Sequence, residues 1–243
     1  MEGKISKLRE ILDESKYTVA LCGSGMMEEG GFIGVKNPDK AYEIEMKYGY
    51  SAEEIFSSAF YNTRPEFFFE FYKREMLENG PRDTASGPAL AAMERAGKLQ
   101  CVITSNIYAM EQRAGCKNVV NLHGTIYKNV CPRCKKEYTM EQVRDSKKVL
   151  LCDKCDIPVR PMVSLFGEMV DSQLMTKTTS EISKAEVLLL LGTTLDSDVF
   201  GSYIKYFTGR WLVVIHPDRH YLDDRADMML LDYPKNILPK LGY

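Results

Sequence analysis

Four cysteines limit what this chain can fold into more than any other residues: Cys131-Pro-Arg-Cys134, then seventeen residues, then Cys152-Asp-Lys-Cys155. Each Cys-x2-Cys knuckle puts two thiolates on one tight turn. Two such turns face to face make a closed tetrahedral S4 cage that suits a structural zinc ion. Other readings of the same residues are four ordinary buried cysteines, two disulfides, or a rubredoxin-like iron site, which uses similar spacing. A closed cage has no open position for substrate, so this metal is expected to hold structure and do no chemistry. The chemistry has to come from beside it.

Around the cage the chain reads as alternating helix and strand. Ile5, Leu8, Ile11 and Leu12 fall on one face of an amphipathic helix. Thr18 to Cys22 is then a short apolar run, as expected of a strand buried on both faces, and it ends in Gly23-Ser24-Gly25. A strand followed by Gly-x-Gly suits either a tight turn or the start of a dinucleotide site, because glycine lets the backbone approach a pyrophosphate. Three further apolar runs break in the same way: Cys101 to Thr104 into Ser105-Asn106, Val187 to Leu191 into Gly192-Thr193-Thr194, and Leu212 to Ile215 into His216-Pro217-Asp218. In an open parallel sheet those ends line the ligand crevice. Between the first two strands lies an aromatic stretch containing Phe67-Phe68-Phe69 and Phe71-Tyr72, which reads as the core of a small helical module, with Pro65 starting a helix and an aromatic ligand box as the other reading.

Charge and cysteine usage narrow the setting. The net charge of −2 gives no reason to expect a nucleic-acid partner. Residues 126 to 160 carry nine bases against five acids, a net of +4 that four thiolates about one divalent metal lower to +2. Cys22, Cys101 and Cys116 are an odd set outside the cage, which fits a reducing compartment. No run approaches the roughly 18 apolar residues of a membrane span, and the first residues lack a secretory core. A cytoplasmic protein without a membrane partner is expected.

Taken in order, these residues resemble the sirtuins (Sir2-like), the NAD-dependent protein deacylases. Gly23-Ser24-Gly25 is similar to the family's opening Gly-Ala-Gly, and Tyr50-Ser51 through Pro65-Glu66-Phe67 to its helical module. Thr104-Ser105-Asn106-Ile107 resembles Thr-Gln-Asn-Ile, and Leu122-His123-Gly124 resembles the loop of the catalytic histidine. The knuckle cysteines, Phe166-Gly167-Glu168, Gly192-Thr193-Thr194-Leu195 and Ile237-Leu238-Pro239 follow in family order. The resemblance covers most of the chain.

It implies an α/β fold: a Rossmann-like parallel sheet with helices on both faces, plus a small inserted zinc-ribbon and helical module. Residues 1–30, 78–125 and 160–243 would form the NAD-binding domain, and 31–77 with 126–159 the small domain. It implies NAD as cofactor, structural zinc on Cys131, Cys134, Cys152 and Cys155, and an acylated protein or peptide as partner. In the family the acyl-lysine carbonyl oxygen attacks the ribose carbon and expels nicotinamide. A histidine then acts as general base on a ribose hydroxyl, and the acyl group passes to the sugar. Carried over, His123 and Asn106 would be catalytic. Gly23, Ser24, Gly25, Lys36, Ser105, Asn106, Ile107 and Tyr108 would contact the cofactor, as would Gly192, Thr193, Thr194 and His216. Phe166, Gly167 and Glu168 would take the substrate as an added strand.

Several positions depart from the family pattern. The Asp that holds the nicotinamide carboxamide is Tyr108, the Gln is Ser105, and Pro-Asp-Phe-Arg is Ile33-Gly34-Val35-Lys36. Lys36 brings charge without a planar fork. His216 stands where an asparagine is frequent. These changes bear on the nicotinamide half more than on the phosphates. Three functions are therefore expected in order: NAD-dependent protein deacylase, mono-ADP-ribosyltransferase or NAD glycohydrolase, and a binding module for NAD or ADP-ribose without turnover.

Overall fold

The computed structural model describes residues 1–243. Nine strands occur along the chain: β1 (Thr18–Cys22), β2 (Cys101–Thr104), β3 (Val119–Asn121), β4 (Gly124–Val130), β5 (Glu137–Tyr138), β6 (Arg160–Val163), β7 (Val187–Leu191), β8 (Trp211–Ile215) and β9 (Met228–Leu230). Six of them make one sheet in the order β3-β2-β1-β7-β8-β9, with every pairing parallel. The chain winds outward from β1 in one direction and from β7 in the other. The boundary between those two strands is the topological switch point, where an open α/β sheet forms its crevice.

Both faces of this sheet are covered, which explains why β1 and β7 are unbroken apolar runs with all five residues buried. Ala20 and Cys22 pack on one face, with Leu8 and Leu12 of the helix Glu2–Glu14 and Leu90 of the helix Ser86–Arg95. Val19 and Leu21 point to the other, against Ile182 of the helix Ser172–Lys184 and against Phe200. Each fully buried leucine contributes about 1.5–3 kcal/mol of transfer free energy. The expected α/β architecture with helices on both faces is therefore present. Two strands, β3 and β9, are only three residues long and carry weak sequence signals. Short edge strands bury too little to leave a pattern. No helix is long and apolar enough to cross a membrane.

The aromatic stretch is core, as its composition suggested. The helix Pro65–Phe71 runs directly into a π-helical turn, Tyr72–Leu77, and Phe56, Phe68 and Tyr72 stack with ring centroids 5.7–6.0 Å apart. Glu75 of the π-turn binds Lys40, Lys47 and Tyr48, tying this segment to the helix Pro38–Tyr48. The next anchor joins the metal module. Lys73 Nζ donates to the carbonyls of Ser146 and Lys148 and to Ser146 Oγ at 2.5–2.6 Å, so the buried ammonium has all three of its donors satisfied. That module is a three-stranded antiparallel sheet in the order β5-β4-β6, with a short helix, Met140–Asp145, capped by Thr139 and Gln142.

Candidate active site and metal centre

The strand ends meet where the topology requires. Ser105 N–H donates to the Cys22 carbonyl, and Gly25 N–H to that of Gly192, so the loops after β1, β2 and β7 are stitched together by main chain. Glycine is needed at this seam. A Cβ on Gly25 would lie 2.6 Å from Gly192 Cα, and one on Gly23 would lie 2.5 Å from Thr193 Cβ. Above the seam opens a cleft of about 760 Å³, within the size range of small-ligand sites. Of the residues expected at the cofactor, Ser24, Lys36, Ser105, Asn106, Ile107 and Tyr108 line it together. Gly23, Gly25 and Gly192 form its underlying seam. Thr193 is buried, Thr194 Oγ1 bonds Asp196, and His216 Nδ1 is held by the main chain of Asp218. Val35 of the departing Ile33-Gly34-Val35-Lys36 stretch also lines the cleft, as do Phe32 and Met76, neither of which was singled out from the sequence. Met76 arrives from the π-turn, for which no local sequence signal exists.

Tyr108 is 3% exposed and fills the inner wall. Its phenol donates to Met76 Sδ at 3.8 Å, and its ring meets Phe32 edge-on at 5.3 Å. Burial pushes the phenol up, so it stays a neutral donor. The position therefore presents an aromatic wall in place of an acid.

His123 follows β3 by two residues and is half-buried. Its turn is held from behind. Gly124 adopts φ +72, and a Cβ there would run into the Met162 carbonyl, while the His123 carbonyl accepts from Ser164 N–H at 2.9 Å. Burial lowers the imidazole below its ordinary range, and the positive charge of Lys36 pushes in the same direction. Such a ring is neutral near pH 7 and able to take a proton.

Phe166 lies beside the helical module. Its N–H donates to the Phe56 carbonyl and its own carbonyl accepts from Ser58 N–H, both at 3.0 Å. Gly167 follows at φ +85. The Glu168 carboxylate is already engaged: Arg160 Nη2 reaches both oxygens at 2.7 and 2.8 Å, and Leu165 N–H donates to Oε2 at 2.8 Å. Arg160 in turn stacks over Tyr61. Glu168 thus shapes the loop through its own partners.

The four knuckle cysteines converge, with their Sγ atoms all within 4.8 Å of one another and Cys134 Sγ 3.6 Å from Cys152 Sγ. Tetrahedral zinc–thiolate bonds of about 2.3 Å put sulfurs roughly 3.8 Å apart, so the set fits a structural zinc ion. The two knuckles are built alike. Lys135 N–H donates to the Cys131 carbonyl and Asp156 N–H to that of Cys152, and both donor residues take left-handed φ, 61° and 53°. All four positions of the cage are filled by protein sulfur.

Comparisons with known proteins agree with this geometry. A sequence model described as the Sir2 family matches residues 32–198. The NAD-dependent protein deacetylase of Clostridium acetobutylicum is 33% identical over 230 residues, covering 94% of each chain, and that of Clostridium perfringens is 33% identical over 242 residues, covering 99% of each. Among solved structures, one from a study of sirtuin substrate affinity superposes with a TM-score of 0.87 at 29% identity, covering 98% of both chains. Another, Sir2 with a p53 peptide and NAD+, gives 0.81 at 28% identity, covering 98% of this chain and 97% of that one.

Proposed function

The chain belongs to the Sir2 family, and we infer that it is an NAD-dependent protein-lysine deacylase, transferring an acyl group from lysine to ADP-ribose with release of nicotinamide. The observation that carries this reading is His123, a half-buried imidazole kept neutral by burial and by Lys36, which itself lines the cleft at the strand ends. NAD, when bound, would supply the electrophilic sugar carbon. The residues suit it in kind: a glycine seam that brings the loops after β1 and β7 into contact, and a cleft within the size range of small-ligand sites.

The chain's own groups divide the remaining work. His123 would hold a proton taken at a ring nitrogen, which a neutral imidazole does at little cost near pH 7. Asn106 would orient the ligand, while Phe32, Met76 and Tyr108 exclude water from the inner wall. An acylated peptide would lie along Phe166 and Gly167, whose loop is stiffened by the Arg160–Glu168 pair. The zinc cage would hold β4, β5 and β6 as one unit beside this loop.

A second reading, NAD or ADP-ribose binding without turnover, is favoured by one observation. Tyr108 puts a phenol bound to sulfur where the family has a carboxylate. Nicotinamide release measured with and without acyl-lysine peptide separates the two readings. Release that depends on peptide supports the deacylase, and tight ADP-ribose binding with no release supports the second reading.

A further inference from the structure

Beneath the cleft, the end of β2 carries a buried network of three polar side chains, Thr104, Asn106 and Glu111, none more than 1% exposed. One contact fixes the direction of the Asn106 amide. The backbone N–H of Tyr108 lies 3.3 Å from Oδ1, and because an N–H can only donate, the amide oxygen has to be on that side. The amide nitrogen then donates to Thr104 Oγ1 at 2.6 Å and to Glu111 Oε1 at 3.0 Å. Both of its hydrogens are used.

Glu111 completes the chain. Its Oε1 also accepts from Thr104 Oγ1 at 3.2 Å, whereas Oε2 is buried without a partner. Burial pushes this carboxyl up, against hydrogen bonds from its own backbone, Asn106 and Thr104 and a lesser contact from the Cys22 thiol. Oε1 is thus the carboxyl oxygen that accepts within the network. The local backbone is bent to bring the acid here. Ala109, a non-glycine residue at φ 48, turns the chain between Tyr108 and the helix Met110–Arg113, so that Glu111 folds back under Asn106. Such a conformation is disfavoured for a residue with a Cβ and persists where surrounding contacts demand it.

We propose that Glu111 is a positioning residue for Asn106: by occupying Nδ2 it makes Asn106 meet a ligand in the cleft only as an acceptor, through Oδ1. The group recognised at that point is a hydrogen-bond donor, such as a sugar hydroxyl. The proposal rests on NAD as the occupant.

The test uses two Glu111 variants, each made in the parent and in an Asn106→Ala background. Glu111→Gln keeps an acceptor oxygen and is expected to hold kcat within about threefold of the parent. Glu111→Leu keeps the bulk without the acceptor. Its kcat is expected to fall by about 10- to 100-fold, with KM for peptide within about threefold, beyond a modest drop in Tm from the Asn106 and Thr104 donors left without their acceptor. In the Asn106→Ala background Glu111→Leu should change nothing further. Equal losses in both backgrounds, or full activity of Glu111→Leu, overturn the assignment. The same cycle is run on NAD affinity by calorimetry. If the parent binds NAD but releases no nicotinamide with any acyl-peptide, the deacylase reading fails, and the binding cycle decides the Glu111 proposal: coupling with Asn106 upholds it and additivity overturns it.

Discussion

The Tyr108 hydroxyl donates to the Met76 sulfur across 3.8 Å, and this contact joins the loop after β2 to the π-helical turn of the helical module. It puts a neutral aromatic group at the inner wall of the cleft, at the position where the family pattern leads one to expect an acid. Replacing Tyr108 by Asp is expected to tighten nicotinamide by roughly 5- to 100-fold, the range of one restored buried hydrogen bond. Inhibition of turnover by nicotinamide measures it. No change would mean that Phe32 and Met76 have remade the pocket around the aromatic ring.

Glu75 carries a pH-dependent part of stability. Burial alone would push its carboxyl up, but hydrogen bonds from Lys47, Tyr48 and Lys40 outweigh that and hold it at about 2. A folded value below the unfolded one, about 4.3, stabilises the fold above the unfolded value, and that stability is lost as pH falls from there towards 2. With partly exposed lysines as partners, the contribution is discounted to about 1–2 kcal/mol. Urea titrations of the parent and of Glu75→Gln should converge as pH drops through this window. Parallel curves down to pH 2.5 would contradict the assignment.

Removal of one cage ligand should be felt throughout the small module. Cys131→Ser, or chelation of the metal, is expected to lower Tm by roughly 10 °C or more, since each kcal/mol is worth about 2–4 °C at this chain length. One metal per chain should be found by elemental analysis. A metal-free protein of undiminished Tm would show that Lys73 and the β4–β6 pairing suffice to hold the module.

Lys36 raises the energy of imidazolium at His123. Loss of that charge in Lys36→Gln should therefore raise the His123 pKa and move the acid limb of the pH–rate profile upward. Downward movement of that limb would mean that the lysine supports the protonated ring.

What could be read from the sequence divides along physical lines. β1 and β7 announced themselves because burial on both faces makes them continuous apolar runs, and the cage did so because metal ligation imposes a spacing. The Phe68–Tyr72 core was legible because aromatic rings at helical spacing have few other uses. Less legible were features made only by tertiary contact. Met76 faces the cleft because the helix loosens into a π-turn, and Glu168 is tied to Arg160 from a neighbouring strand. Glu111 reaches Asn106 through a left-handed alanine that no pattern foretells. Tyr108 was visible as a departure, but its partner Met76 was not.

The central claim, that His123 is the base of a peptide-dependent reaction, is tested most directly by nicotinamide release from NAD, with and without an acetyl-lysine peptide, in the parent and in His123→Ala. The parent is expected to release nicotinamide only with peptide, and His123→Ala to lose about 100-fold or more in product formation while binding NAD within about threefold of the parent. Turnover in His123→Ala equal to that of the parent would contradict the account.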